Sequence, residues 1–95
     1  MTEMTKAATD VLAERERQKT VEHRTDRHDD LWHKGQLAHA AGSYAIWGEP
    51  ACALSPPQYW PWSRDWWKPT SRRQSLVKAG ALILAEIERL DRMDG

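Results

Sequence analysis

The sequence predicts an all-α domain built from three main helices, with a long Trp- and Pro-rich loop between the second and the third. Three observations carry that reading. Apolar residues recur at helical spacing from Leu76 to Leu90, the run from Lys6 to Val21 is rich in strong helix formers, and all five prolines fall between Gly48 and Pro69. At 95 residues the chain has room for one modest core. Residues 1–5 read as a disordered terminus and 6–95 as a single helical domain.

The first helix, KAATDVLAERERQKTV, offers a narrow apolar stripe of Ala8, Val11, Leu12 and Val21. Glu14 faces Arg17 and Gln18 at helical spacing, so most of its surface is expected to be solvated and laced with charge pairs. Glu22 to Asp30 has no apolar residue and reads as a polar connector. Asp29 or Asp30 is then placed to cap a second helix over roughly 31–47, with Leu37, Ala40, Ala41, Tyr44 and Ala45 facing inward.

The loop from Gly48 to Pro69 is too long to stand without anchors. Six Trp, two Tyr and no Phe make up the aromatic set, and four of the Trp lie between Trp60 and Trp67. Indoles there are expected to tuck against the helices and supply core that the Ala-rich second helix lacks. A short helical turn is expected at 63–67, capped by Ser63. Pro69 and Thr70 end the loop, and Ser71 caps the last helix with Gln74 three residues on. Its stripe of Leu76, Gly80, Ile83, Leu84, Ile87 and Leu90 must find a partner, while Glu86, Glu88, Arg89 and Arg92 keep the other side wet.

Basic and acidic residues balance at 14 each. A neutral chain has no global pull toward nucleic acid or anionic lipid, so neither a nucleic-acid nor a membrane partner is expected. No leader-like stretch or long apolar run is present, and Cys52 stands alone, which together predict a soluble protein of the cytoplasm with an inert loop thiol.

Two constellations bear on chemistry. Trp60, Trp62, Trp66 and Trp67, interleaved with Arg64, Lys68, Arg72 and Arg73, form a candidate binding set: phosphates could meet the cations and the helix N-terminus while a ring stacks on an indole. The alternative is that the indoles are core and the cations surround them. The second constellation is acidic. Asp29 and Asp30, with Glu14 and Glu88 from other helices, could assemble a Mg²⁺ or Mn²⁺ site, against the alternative of a capping turn with solvated histidines. No phosphate-binding glycine loop and no nucleophile elbow is present.

The succession LAERERQ, VEHRTDRHDD, GQLAHAAGSYA and WPWSRDWWKPTSRRQSLVKAGALILAEIERLDR resembles a family of small proteins encoded by tailed phages and prophages of proteobacteria. The family's Gly, Trp and Pro before the His-Asp-Asp are replaced here by His23, Arg24 and Asp26, and its Glu at the start of the second helix by Gln36. A more distant resemblance joins the first helix and LVKAGALILAEIERLDR to relatives of the MazG-like all-α NTP pyrophosphohydrolases. That likeness implies a Mg²⁺ or Mn²⁺ site to which Glu88 and Asp91 contribute, standing as the family's Glu-x-x-Asp; with Glu14, Asp29 and Asp30 they are the candidate ligands of such an enzyme. The family's Glu-Glu-x-x-Glu helix has no counterpart in the second helix.

The expectation for function is a phage or prophage accessory protein of the host cytoplasm. It acts by binding a host or defence-system component, or a small nucleotide, without a cofactor. A metal-dependent pyrophosphohydrolase is the alternative. The Ala and Gly positions of the last two helices also suit a homodimer.

Overall fold

The computed structural model describes residues 3–22 and 26–94. The helices are α1 (Lys6–Thr20), α2 (Asp26–Asp29), α3 (Gln36–Trp47) and α4 (Arg72–Asp94), with short 3₁₀ turns at Pro50–Cys52 and Arg64–Trp66. The domain is all-α, with no strand among the described residues, and no helix among them is long and apolar enough to cross a membrane. α4 is the central element: α3 and α1 pack along it and α2 sits against it.

Local chemistry fixes the boundaries. Thr5, placed by the sequence in the terminus, caps α1 by accepting a hydrogen bond from the Ala8 amide at 3.1 Å. Ser71 caps α4 in the same way, accepting from the Gln74 amide at 3.1 Å, as its spacing predicts. The second helix starts later than expected. Gly35 has φ +83°, a left-handed conformation that cannot continue a right-handed helix, so α3 begins at Gln36. Asp29 and Asp30 therefore cap nothing in α3. The connector's residues 23–25 lie outside the described residues.

The inward face of α3 is the predicted one: Leu37, Ala40, Ala41 and Tyr44 are buried, with Ala45 packed at the margin. The inward face of α4 is not. Ala79, Ala81, Leu82 and Ala85 face the core together with Arg89, whereas Leu76, Ile83, Ile87 and Leu90 point away from it. Alanines on α3 meeting alanines on α4 allow close packing, a geometry that the bulkier stripe would prevent. Ala40, Ala41, Ala79, Ala81 and Ala85, among the small residues that suited a homodimer, are buried within one copy.

The loop supplies the missing core volume. Trp60 and Trp67 are buried against Tyr44, with ring centroids 5.5 and 4.9 Å from the tyrosine and 5.0 Å from each other. Each indole N–H is satisfied locally, Trp60 donating to the Ser63 carbonyl and Trp67 to the Cys52 carbonyl, both at 2.9 Å. Gly48 lets the end of α3 meet α4: a Cβ there would collide with the Tyr44 carbonyl oxygen and the Ser75 side chain.

α1 is attached differently. Its Ala8, Leu12 and Val21 are exposed, and its buried residues are Glu14, Arg15 and Gln18. Val11 lies on Gly80, where an added Cβ would stand 3.1 Å from both valine methyls. Arg15, 4% exposed, donates to Asp29 at 2.9 Å and to Glu88 at 2.8 Å, joining α1, α2 and α4 through one guanidinium. Asp29 is fully buried.

Two sets of variants test this architecture in urea unfolding. Trp67→Ala is expected to cost about 3–5 kcal/mol by opening a cavity in the aromatic cluster. Gly48→Ala should cost about 1–3 kcal/mol through overpacking between helices. Arg15→Met should cost about 3–5 kcal/mol, because it takes the guanidinium from a buried carboxylate, and the double variant Arg15→Met/Asp29→Leu should recover most of that loss.

Candidate functional site

A cleft of about 660 Å³ lies between the C-terminal half of α1, the end of the aromatic loop and one side of α4. Helical spacing brings Glu14, Arg17 and Gln18 to its α1 wall, and Gln74, Lys78 and Leu82 to its α4 floor. Trp66, Lys68 and Thr70 come from the loop as it enters α4, and Tyr44 from α3.

The α1 wall is a closed polar network. Arg17 donates to both oxygens of Glu14, at 2.8 and 2.7 Å, and also pairs with Glu22. Gln18 donates to Glu14 at 3.1 Å, while its own Oε1 is buried without a hydrogen-bond partner among the described residues. Burial by itself would raise the Glu14 carboxyl; the hydrogen bonds from Arg17 and Gln18 outweigh it and hold the group below its ordinary value.

The floor carries net positive charge. Lys78 is half-buried, donates to the Lys68 carbonyl at 2.9 Å and stands 5.3 Å from the centre of the Tyr44 ring. Desolvation lowers its pKa, a shift that the nearby Glu14 charge only partly opposes. Among the described residues, neither Lys78 nor Lys68 forms an ion pair. Trp66, 48% exposed, stands beside them at the rim. The cleft therefore presents two ammonium groups and one indole to a ligand, with Lys78 lying over the buried Tyr44 ring. That combination suits a negatively charged group joined to an apolar or aromatic portion.

The predicted binding set divides accordingly. Trp66 and Lys68 reach the cleft; Trp60 and Trp67 are core, and Trp62 is half-buried in ring contact with Trp60, Trp66 and Trp32. Arg64 donates to the Leu54 carbonyl at 2.8 Å, away from the cleft. Arg72 is exposed at the start of α4, and Arg73 pairs with Asp10 at 2.9 Å. Glu14, Arg17, Gln18 and Lys78 were not in that set. The available signal was Lys78, the only charge between Arg73 and Glu86.

The predicted metal ligands do not converge on a common point. Asp29 and Glu88 approach each other through the Arg15 guanidinium, Asp30 pairs with Arg92 at 2.7 Å, and Asp91 is exposed. A guanidinium standing between two of the carboxylates does not fit a divalent cation there, and no group of three metal-ligating side chains occurs among the described residues. Compared with family models, curated proteins and solved structures, the chain matches none.

The wall of the cleft has a pH signature. Because the folded-state pKa of Glu14 lies below its ordinary 4.5, its stabilising contribution is complete above that value and is lost as pH falls through the folded value. The melting temperature is expected to drop on acidification below about pH 4.5, and Glu14→Gln should flatten that part of the profile while lowering stability at pH 7.

Proposed function

We propose that this chain is a phage or prophage accessory protein that acts by binding a host or defence-system component rather than by catalysis, and that the lysine-bearing cleft is its contact site. The observation that carries the reading is the pair Lys68 and Lys78, set beside the exposed Trp66 and the Tyr44 ring. Cations held next to aromatic faces attract an anionic group, and Trp and Tyr are the side chains that most often dominate binding energy. The resemblance to small phage-encoded proteins supports the cellular setting. The arginines facing Asp29, Asp30 and Glu88 support binding over metal-dependent hydrolysis, since each of those carboxylates already has a cationic partner.

The test combines two measurements on purified protein. Immobilised wild-type chain and a Trp66→Ala/Lys68→Glu variant are exposed to host lysate, and both are melted with a panel of nucleoside triphosphates and cyclic nucleotides. A specific partner or a nucleotide-induced rise in melting temperature is expected for the wild type, with affinity reduced about 30-fold or more in the variant. Equal retention by the variant would remove the cleft from the reading. Mg²⁺- or Mn²⁺-dependent release of pyrophosphate, abolished by Glu88→Gln, would replace binding with hydrolysis.

A further inference from the structure

The long face of α4 that points away from the core is more apolar than a solvated helix requires. Leu76, Ile83, Ile87 and Leu90 are each 45–49% exposed. They stand 7, 4 and 3 residues apart, a helical-seam spacing, while Gly80 between the first two is covered by Val11 of α1. On the opposite side of the same helix, Leu82 and Ala85 are buried against α3. Leu12, next to the Val11 that sits on Gly80, is also about half exposed, so α1 crosses the strip at Gly80 and leaves the four large side chains half exposed.

We propose that this face is a self-association surface on which a second copy of the chain docks with its α4 antiparallel. The choice of a second copy rests on charge. α4 opens with Arg72 and Arg73 and closes with Asp91, Arg92 and Asp94; Arg73 and Arg92 are paired with Asp10 and Asp30 of the same copy, which leaves Arg72 at one end and Asp91 at the other as charges that the helix dipole disfavours. Among the described residues neither Arg72 nor Asp91 has an ion-pair partner. A two-fold axis across the middle of the strip, near Ile83, lays the basic end of one copy on the acidic end of the other. Such an axis requires a patch that complements itself, and this patch does. A parallel arrangement would stack like charges at both ends.

Size sets the expected strength. α4 has 23 residues, and a strip about 34 Å long by about 10 Å wide buries on the order of 700 Å² over two copies, below the roughly 1,200 Å² of stable interfaces and in the range of transient contacts. The dimer is therefore expected in the micromolar range and to dissociate on dilution. This surface is separate from the lysine-bearing cleft and does not depend on the function proposed for it.

Sedimentation equilibrium of the full chain over a concentration series tests the proposal. Wild type should pass from monomer to dimer, and Ile83→Ser/Ile87→Ser, which alters only half-exposed side chains, should raise the dissociation constant more than about 100-fold with unchanged circular dichroism. Orientation is tested with Arg72→Glu/Arg73→Glu and Asp91→Arg/Asp94→Arg. Each alone should associate about tenfold more weakly than wild type, and an equimolar mixture should regain wild-type strength. A monomer at every concentration up to about 1 mM, or a dimer indifferent to the Ile83→Ser/Ile87→Ser change, overturns the proposal. Charge variants that associate as tightly alone as wild type overturn the antiparallel arrangement.

Discussion

The close crossing of α3 on α4 is the constraint from which the rest of the structure follows. Ala40 and Ala41 on one helix and Ala79 and Ala85 on the other are buried there. Small side chains allow close approach, but they contribute little apolar volume. A core built from these alone would be too thin for a chain of this length. The loop between the two helices makes up the deficit. Trp60 and Trp67 fold back over Tyr44, and their ring N–H groups find carbonyls within the loop itself, so the indoles are buried without leaving a polar atom unpaired. The loop is long because it must reach the open side of the helix pair, and it is ordered because its heaviest side chains are the core.

α1 joins this unit on different terms. Its contact face is Glu14, Arg15 and Gln18 around Val11, so it docks through directed polar contacts more than through area. Arg15 couples it to α2 and to α4 at once. A buried guanidinium with two carboxylates demands one register, since sliding α1 by a single residue would leave charge buried without its partner. Apolar packing at Gly80 tolerates such slips far better. The polar layer therefore fixes where α1 lies, and with it the width of the cleft whose wall carries Glu14 and Arg17.

Much of this was legible from residue order, and the parts that were not share a cause. Ser71 with Gln74, Ser63 before the 3₁₀ turn, the Leu37–Ala40–Ala41–Tyr44 face and the role of the indoles as pins all rest on local rules, and all appear as expected. The buried face of α4 does not follow from such rules. The helix carries two apolar stripes, and hydropathy favours the bulkier one. The alanine stripe is buried because α3 presents alanines of its own, a fact about the partner and not about α4. The inward face of α1 is hidden for a similar reason: Arg15 looks solvated until Asp29 and Glu88 are brought to it across the fold, whereas Glu14 and Gln18 keep the partners that helical spacing gives them. In the cleft, Trp66 and Lys68 were visible through their clustering, whereas Lys78 reads as an isolated charge until the fold sets it over Tyr44.

The same geometry explains why α4 presents large aliphatic side chains to solvent. A helix that packs through alanines on one side has no use in a single copy for leucine and isoleucine on the other. Were stability of the monomer the only demand, polar residues at those four positions would serve it better, because half-exposed aliphatics add little to the folded state and promote aggregation. Scattered exposed apolar residues are ordinary and require no account. Four along one line of the helix, with Arg72 at one end and Asp91 at the other, form a pattern that solvation does not select for. The division of labour on α4 is thus between a small-residue face that builds the monomer and a large-residue face whose chemistry is that of a contact surface.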